Sequence, residues 1–117
     1  MKENVVREKS YAFALRVVDL YRGLVAEREY VLSKQMLRAG TSIGANVEEA
    51  LAAQSRRDFI AKMSIASKEA RECCYWLRLL RDSGTVPKEV IDPFIADSHE
   101  LVLILTSIVK SASESRS

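Results

Sequence analysis

The sequence predicts an all-α protein, an antiparallel up-down-up-down four-helix bundle. Three observations support this fold class. Apolar residues recur at three- and four-residue steps in four separate segments of the 117-residue chain, which is the spacing of helix faces that pack into a core. Only four glycines and two prolines are present, too few for the many tight turns of a β-sandwich. The segments between the four patterns are short, and short connections make each helix pack antiparallel to the next.

The first two helices are predicted at about residues 5–29 and 33–53. The apolar stripe of helix one consists of Phe13, Val17, Leu20, Tyr21 and Leu24. Ser33 is a residue type that commonly caps a helix, so we expect it to begin helix two. Gly40 and Gly44 lie inside that helix, where each glycine costs about 1 kcal/mol relative to alanine. Close packing against a neighbouring helix is the expected compensation.

Helix three is predicted at about residues 55–83. Ser55 followed by Asp58 resembles a capping box that uses the shorter acid. The apolar stripe of this helix repeats in alternating steps of four and three residues, at Phe59, Met63, Ala66, Ala70, Cys73, Leu77 and Leu80. Such an alternation keeps one seam against a partner helix, as in antiparallel bundles.

Helix four is predicted at about residues 87–112. Gly84 supplies the left-handed residue that often ends a helix, and Pro87 suits the first turn of the next one. Pro93 lies inside the helical pattern, and we expect an early helix start with a bend at this residue. Residues 113–117 are small and polar and are expected to fray. The chain, residues 1–117, is therefore predicted to be a single domain.

Helices two and three carry small and charged residues along the edges that flank their apolar seams. We call this set the polar edge; it comprises Arg38, Ser42, Asn46, Glu49, Lys62, Glu69 and Glu72. In two antiparallel helices joined near Ser55, residues at equal distances from the turn meet, so partners have position numbers that sum to about 110. The predicted pairs are Glu49 with Lys62, Ser42 with Glu69, and Arg38 with Glu72.

Three interpretations of the polar edge stay open on sequence alone. The pairs are partly exposed ion pairs worth about 0 to 1 kcal/mol each. Alternatively, a second subunit covers them, and they fix helix register and subunit orientation. The third interpretation is a ligand or catalytic site, because perturbed carboxylates occur in active sites as well as in structural networks.

The residue types of common catalytic sites are missing from this sequence. A di-metal carboxylate bundle needs two Glu-x-x-His pairs, and the chain has one histidine, His99, to which we assign no role. No glycine-rich phosphate loop, zinc-ligand spacing or nucleophile elbow occurs. Cys73 and Cys74 are expected to stay reduced, with the Cys73 thiol buried and its pKa raised. We therefore predict no enzyme activity, no metal or other cofactor, and no small-molecule substrate.

In the run Leu101–Leu105, apolar side chains lie on every face of helix four. A helix that is hydrophobic on every face should be buried on every face, which predicts self-association into a homo-oligomer. A broad internal core is the alternative explanation. The run has five residues, far fewer than the roughly 20 that cross a bilayer, and the charged N-terminus does not resemble a signal peptide. We expect a cytoplasmic protein with no membrane partner.

Helix three also carries candidate nucleic-acid contacts, which are Arg56, Arg57, Arg71, Arg78 and Arg81. Residues 55–86 contain seven basic and four acidic residues, whereas the net charge of the whole chain is only +2. A solvated helix face is the alternative interpretation of these arginines. Several copies in one assembly would concentrate the positive charge and attract RNA or DNA.

Motifs in helices two and three resemble those of a known family. The segments are Arg38–Asn46, Glu49, Ser55–Ala66, Lys68–Glu72 and Tyr75–Leu80. Together they are similar to the 23S rRNA intervening-sequence protein family, also called four helix bundle proteins. The resemblance implies a small bacterial four-helix bundle that assembles as a homopentamer and has no known catalytic activity. Distant relatives are accessory subunits of retroelement reverse transcriptases, which makes nucleic-acid binding the alternative role.

Overall fold

The computed structural model describes residues 1–114, and α-helices make up most of that span. The four helices are α1 (Lys2–Ala26), α2 (Leu32–Leu51), α3 (Arg56–Asp82) and α4 (Lys88–Glu114). No strand occurs in the described residues, so this part of the chain is all-α. The helices form an elongated body of 50 × 20 × 20 Å. α4 continues through Glu114, two residues beyond the predicted helix end at about 112, and residues 115–117 lie outside the described part.

Helices that follow one another in sequence pack side by side, and α1 also packs against α4. Between α1 and α2, Arg7 pairs with Glu48 and Val17 lies at Gly40, so positions rise in one helix as they fall in the other. The same reversal is seen in Ser67–Thr106 and Arg81–Asp92 between α3 and α4, and in Lys2–Ser107 and Arg16–Asp97 between α1 and α4. These contacts are the ones expected of antiparallel neighbours in an up-down bundle.

The core is one apolar cluster to which all four helices contribute. Its largest fully buried side chains include Phe13, Met36, Ile43, Met63, Leu77, Leu80, Ile91, Leu101 and Leu105. The buried positions of α3 follow the predicted four-and-three alternation from Met63 to Leu80, while Phe59 is only partly buried. Among residues 1–114, no buried side-chain nitrogen or oxygen lacks a hydrogen-bond partner. The buried polar side chains of the described residues are therefore all hydrogen-bonded, as is usual in folded proteins.

The start of α2 differs from the predicted one. The helix begins at Leu32, and Ser33 is a buried residue of its first turn, so the assignment of Ser33 as N-cap is wrong. Instead, the Glu29 carboxylate accepts hydrogen bonds from the backbone N–H groups of Val31, Leu32 and Ser33 at 3.3, 3.0 and 2.6 Å. Burial raises the pKa of Glu29, but these hydrogen bonds outweigh it and leave the pKa below its ordinary value. A carboxylate thus satisfies the unpaired donors at this helix end.

The other helix boundaries have identifiable local causes. Ser55 caps α3 as predicted, because its hydroxyl oxygen accepts from the N–H of Asp58 at 3.0 Å. α3 ends just before Gly84, whose φ of 75° is readily adopted by glycine. α1 spans residues 2–26 rather than about 5–29, and Arg28, with φ of 65°, turns the chain away from the helix.

α4 starts before its internal proline, as predicted. Pro93 has no backbone N–H, so the helix lacks one bond, the one to the carbonyl of Glu89. The apolar run Leu101–Leu105 lies farther along the same helix. In residues 1–114, neither this helix nor another is long and apolar enough to span a membrane.

Gly40 lies where α2 comes closest to its neighbours. A Cβ at this position would be 2.9 and 3.0 Å from the two Cγ atoms of Val17 and 3.3 Å from Sγ of Cys73. Both neighbours are fully buried, and the branched valine has little rotamer freedom to move away. At Gly44 the nearest atoms would be at 3.5 Å, an ordinary contact distance. Close packing of the neighbouring helices therefore explains why residue 40 is glycine. At residue 44 the same packing would leave room for a Cβ.

Replacing Gly40 with alanine is expected to destabilise the protein, although alanine is normally the better helix former. Overpacking against Val17 should lower the free energy of unfolding by about 1–3 kcal/mol. Gly23 is the matched control, because a Cβ there would meet no atom within 4 Å. Gly23→Ala should raise stability by about 0.5–1 kcal/mol. Urea denaturation followed by circular dichroism measures both, and equal stabilisation by the two variants would contradict the close approach at Gly40.

Candidate functional site

The polar edge is centred on Arg38 of α2, which binds two carboxylates of α3. Its guanidinium donates to both oxygens of Glu69 at 3.3 Å and to Oε2 of Glu72. Nε1 of Trp76 donates to the same Glu72 oxygen at 3.0 Å. One arginine therefore links two successive turns of the facing helix.

The Arg38 cluster is only partly shielded from solvent. The side chains of Arg38, Glu72 and Glu69 are 48%, 39% and 19% exposed. Ion pairs at this exposure contribute modestly, about 0 to 1 kcal/mol each. The geometry nevertheless fixes which turns of α2 and α3 face each other.

A third ion pair of the polar edge lies nearer the α2–α3 turn. Nζ of Lys62 is 3.0 Å from Oε1 of Glu49. The hydrogen bond to Glu49 is the main reason that the pKa of Lys62 is raised. The structure thus brings together two of the three pairs that position numbers predict, Arg38 with Glu72 and Glu49 with Lys62.

The third predicted pair, Ser42 with Glu69, is wrong. The Ser42 hydroxyl donates to the backbone carbonyl of Arg38 at 2.6 Å, and Nδ2 of Asn46 donates to the backbone carbonyl of Ser42 at 2.8 Å. Both bonds run one turn back along α2. A short polar side chain reaches the carbonyl of its own preceding turn, whereas the long side chain of Arg38 reaches across to Glu69.

The charges of the polar edge stabilise one another. The pKa of Glu72 is lowered by the hydrogen bond from Trp76 and then by that from Arg38, which together outweigh burial. The pKa of Arg38 is raised chiefly by its hydrogen bond to Glu72. Both groups therefore stay ionised at neutral pH. The arrangement holds charge in place and resembles a structural network more than an acid–base pair.

The cysteine next to the polar edge is buried, and its environment disfavours the thiolate. Cys73 is fully buried, and burial raises the pKa of its thiol to about 12. Since the thiolate is the reactive form, a thiol protonated at neutral pH is a poor nucleophile. Cys74, one position along, is half-buried, and both cysteines are free.

Four of the five arginines predicted to contact nucleic acid are exposed, and Arg81 is the exception. Arg57, Arg71 and Arg78 are exposed and form no ion pair within residues 1–114. Arg78 lies near enough to Asp82 to help lower the pKa of that carboxyl, after the larger effect of Arg81. These three guanidinium groups therefore lie on the solvent-facing surface of α3.

The other two arginines are placed differently. Arg81 is less exposed and pairs with Asp82 at 2.8 Å and with Asp92 at 3.2 Å, so it connects α3 to α4. Arg56, at the start of α3, lines a surface depression together with Lys2 and Glu3. The paired aspartates make Arg81 a poor candidate for a nucleic-acid contact, because an incoming phosphate would compete with two carboxylates.

Comparison with known proteins gives a family match and a structural match. The family model described as 23S rRNA-intervening sequence protein matches residues 2–107. A crystal structure from Bacteroides thetaiotaomicron is similar, with 52% sequence identity and a TM-score of 0.91 over 94% of this chain and 99% of that chain. It is described as a protein of unknown function from the S23 ribosomal protein family. No curated protein matches. Neither description names an enzymatic activity.

Replacing Glu72 with glutamine is expected to make stability less dependent on acid pH. The pKa of Glu72 is below its ordinary value of 4.5 in the folded protein. Its charge therefore stabilises the fold above about pH 4.5, and this contribution is lost as pH falls through the folded pKa. Glu72→Gln should be less stable than wild type at pH 7 by about 0.5–1 kcal/mol and lose less stability on going to pH 3.

Urea denaturation at pH 7 and pH 3 measures this difference. Trp76→Phe removes the indole N–H and keeps an aromatic ring, so it should show part of the same effect. A Glu72→Gln variant that loses as much stability as wild type between the two pH values would contradict the role of the hydrogen bonds from Trp76 and Arg38.

Proposed function

Because the chain belongs to the 23S rRNA-intervening sequence protein family, we propose that its up-down-up-down bundle is the protomer of a homopentameric scaffold without catalytic activity. An exposed apolar strip on α1 carries this proposal. We call it the α1 strip, and it consists of Tyr11, Ala14, Leu15 and Val18. These residues follow one another at helical spacing and share one face. Tyr11 is 64% exposed and Leu15 is 56% exposed.

The α1 strip continues onto small residues of α2. A depression of about 240 Å³ between the two helices is lined by Ser10, Tyr11, Ala14, Thr41, Gly44, Ala45 and Glu48. Protruding side chains beside a shallow groove of small residues provide the ridges and grooves by which helices pack. The ion pair between Arg7 and Glu48, at 3.0 Å, forms a polar rim at one end. An apolar surface with a polar rim is typical of protein–protein contacts.

The apolar run Leu101–Leu105 of α4 supports self-association less strongly than its sequence suggests. Leu101, Val102 and Leu105 are buried inside the single chain, so an internal core accounts for most of the run. Leu103 is the exception, at 63% exposed. It lies on a different helix from the α1 strip, and a closed ring joins two different surfaces of each subunit. The α1 strip and the surface around Leu103 are therefore the two faces that we assign to the ring.

Leu15→Arg is expected to break the assembly. Wild type should have a mass in solution of about five 13.2 kDa chains, and the variant should shift toward one chain because an unpaired charge in an apolar contact is costly. Val31→Arg is the control, since Val31 is also an exposed apolar residue, at 73%, but lies in the α1–α2 connection. Light scattering after size exclusion measures the masses. A monomeric wild type would overturn the scaffold, and a pentameric Leu15→Arg variant would exclude the α1 strip from the interface.

The exposed arginines of α3 favour a second role, in which the protein is a nucleic-acid-binding accessory subunit. At 100° and 1.5 Å per residue, Arg57, Arg71 and Arg78 lie within an arc of about 60° and along about 30 Å of helix. A row of unpaired cations on one side of a helix matches the phosphates of a nucleic-acid backbone. Several copies in a ring would repeat this row and strengthen its field.

Binding to a single-stranded RNA should weaken as salt rises. Fluorescence anisotropy at several KCl concentrations is expected to give a falling affinity, and Arg71→Gln should reduce the salt slope by about 1. Arg81→Gln is the comparison variant and should change the slope less, because Arg81 is engaged by Asp82 and Asp92. Absence of binding to RNA and DNA at low salt would remove this second role.

A further inference from the structure

A groove between α3 and α4 places an aromatic ring and an imidazole beside two of the exposed arginines of α3. It has a volume of about 280 Å³ and is lined by Arg71, Cys74, Tyr75, Arg78, His99 and Val102. Two of these residues are the exposed arginines of the nucleic-acid hypothesis. The groove therefore joins that cationic row to an aromatic ring and an imidazole.

The lining of this groove contains no carboxylate. Four other surface depressions in the described structure each include at least one, Glu3, Glu8, Asp19 or Glu48 among them. Asp82, whose pKa is lowered slightly by Arg78 and more by Arg81, is paired with Arg81 at 2.8 Å. The groove is thus a local cationic surface on a chain whose net charge is only +2.

Tyr75 is placed between the two arginines of the groove. It follows Arg71 by four residues and precedes Arg78 by three, so all three side chains lie on one face of α3. The Tyr75 side chain is 51% exposed, and its ring contacts Trp76 edge-on with centroids 5.1 Å apart and an interplanar angle of 75°. The neighbouring indole limits the ring positions. A restrained, accessible aromatic ring is a surface on which a flat ligand can stack.

The inner side of the groove is apolar. Val102 is buried at its base, and Cys74 is half-buried in its wall. The spacing of Arg71 and Arg78, two helical turns, is about 10 Å along the helix axis. The groove thus offers guanidinium donors at two points, an aromatic face between them and an apolar base.

We infer that the α3–α4 groove binds one nucleotide unit of a single-stranded nucleic acid. Arg71 and Arg78 bind phosphate oxygens, since the guanidinium fork matches them bidentately. The base stacks on Tyr75, and His99 at the rim offers a ring nitrogen for a hydrogen bond to the base edge. This inference rests on the proposed nucleic-acid role and adds the strand type, because a duplex keeps its base faces inside the stack.

The test uses the full chain and three probes: a ten-nucleotide oligo(U), an RNA duplex of equal length, and UMP. Cys74 provides a direct report from the groove wall, because burial and a raised thiol pKa of about 12 make Cys73 a poor competitor for the reagent. Oligo(U) should slow the reaction of Cys74 with a thiol reagent severalfold, and the duplex should not. Protection by UMP alone would show that the site also takes a free nucleotide, which the same chemistry allows.

Variants distinguish binding in this groove from nonspecific electrostatic attraction to α3. Tyr75→Ala should weaken oligo(U) binding about tenfold, and Tyr75→Phe, which keeps the ring, should bind like wild type. Arg57→Gln removes one charge from the same helix outside the groove, so it should weaken binding without changing Cys74 protection at saturating oligo(U). Circular dichroism checks that each variant is folded.

The two hypotheses fail in different ways. If oligo(U) binds wild type but Cys74 stays reactive and Tyr75→Ala binds normally, the groove inference is overturned and the cationic row on α3 stands. If oligo(U) and the duplex bind equally well, with equal protection of Cys74, the single-strand assignment is wrong. If neither binds at low salt, the nucleic-acid role and the groove inference both fail.

Discussion

Gly40 is the point at which three helices of this bundle meet. Val17 of α1 and Cys73 of α3 both approach the position where a side chain would begin, at 2.9 and 3.3 Å. The absence of a Cβ lets α2 settle between its two neighbours, and the stripe of small and medium residues in α3 completes the contact. This close approach brings the edge of α2 near enough to α3 for the long side chain of Arg38 to reach two carboxylates. The polar edge therefore depends on the packing at Gly40.

The polar edge in turn selects one alignment of α2 on α3. Apolar seams tolerate sliding by one turn because a hydrophobic contact has no direction, whereas Arg38 meets Glu69 and Glu72 only in one register. At the exposures seen here, these ion pairs contribute little net free energy. Their structural role is to fix how α2 is aligned along α3. In the pentamer that we propose, a fixed register also keeps the α1 strip and the Leu103 surface in constant relative positions.

Sequence reasoning predicted which turns of α2 and α3 face each other better than it predicted which side chains form hydrogen bonds. The pairing arithmetic holds for Arg38 with Glu72 and for Lys62 with Glu49, because helix geometry alone sets which turns face each other. It fails for Ser42, whose short side chain satisfies itself on the Arg38 carbonyl. Glu29 was missed as the cap of α2 because Ser33 carries the usual capping signal, and only the turn geometry shows that a carboxylate reaches three N–H groups first. Arg81 was grouped with the surface arginines, since no local pattern reveals Asp92, eleven residues away, as its partner.

The sequence by itself determined the all-α class and the approximate helix positions, because apolar periodicity and helix caps act over a few residues. It also excluded the residue combinations of familiar catalytic sites. Tertiary structure decided which glycine is sterically required, which arginines are free and which are paired, and how much of the α4 run is buried in the core. It also brought Tyr75 and His99 to one groove. These outcomes depend on distances between residues far apart in the chain, which helical spacing does not encode.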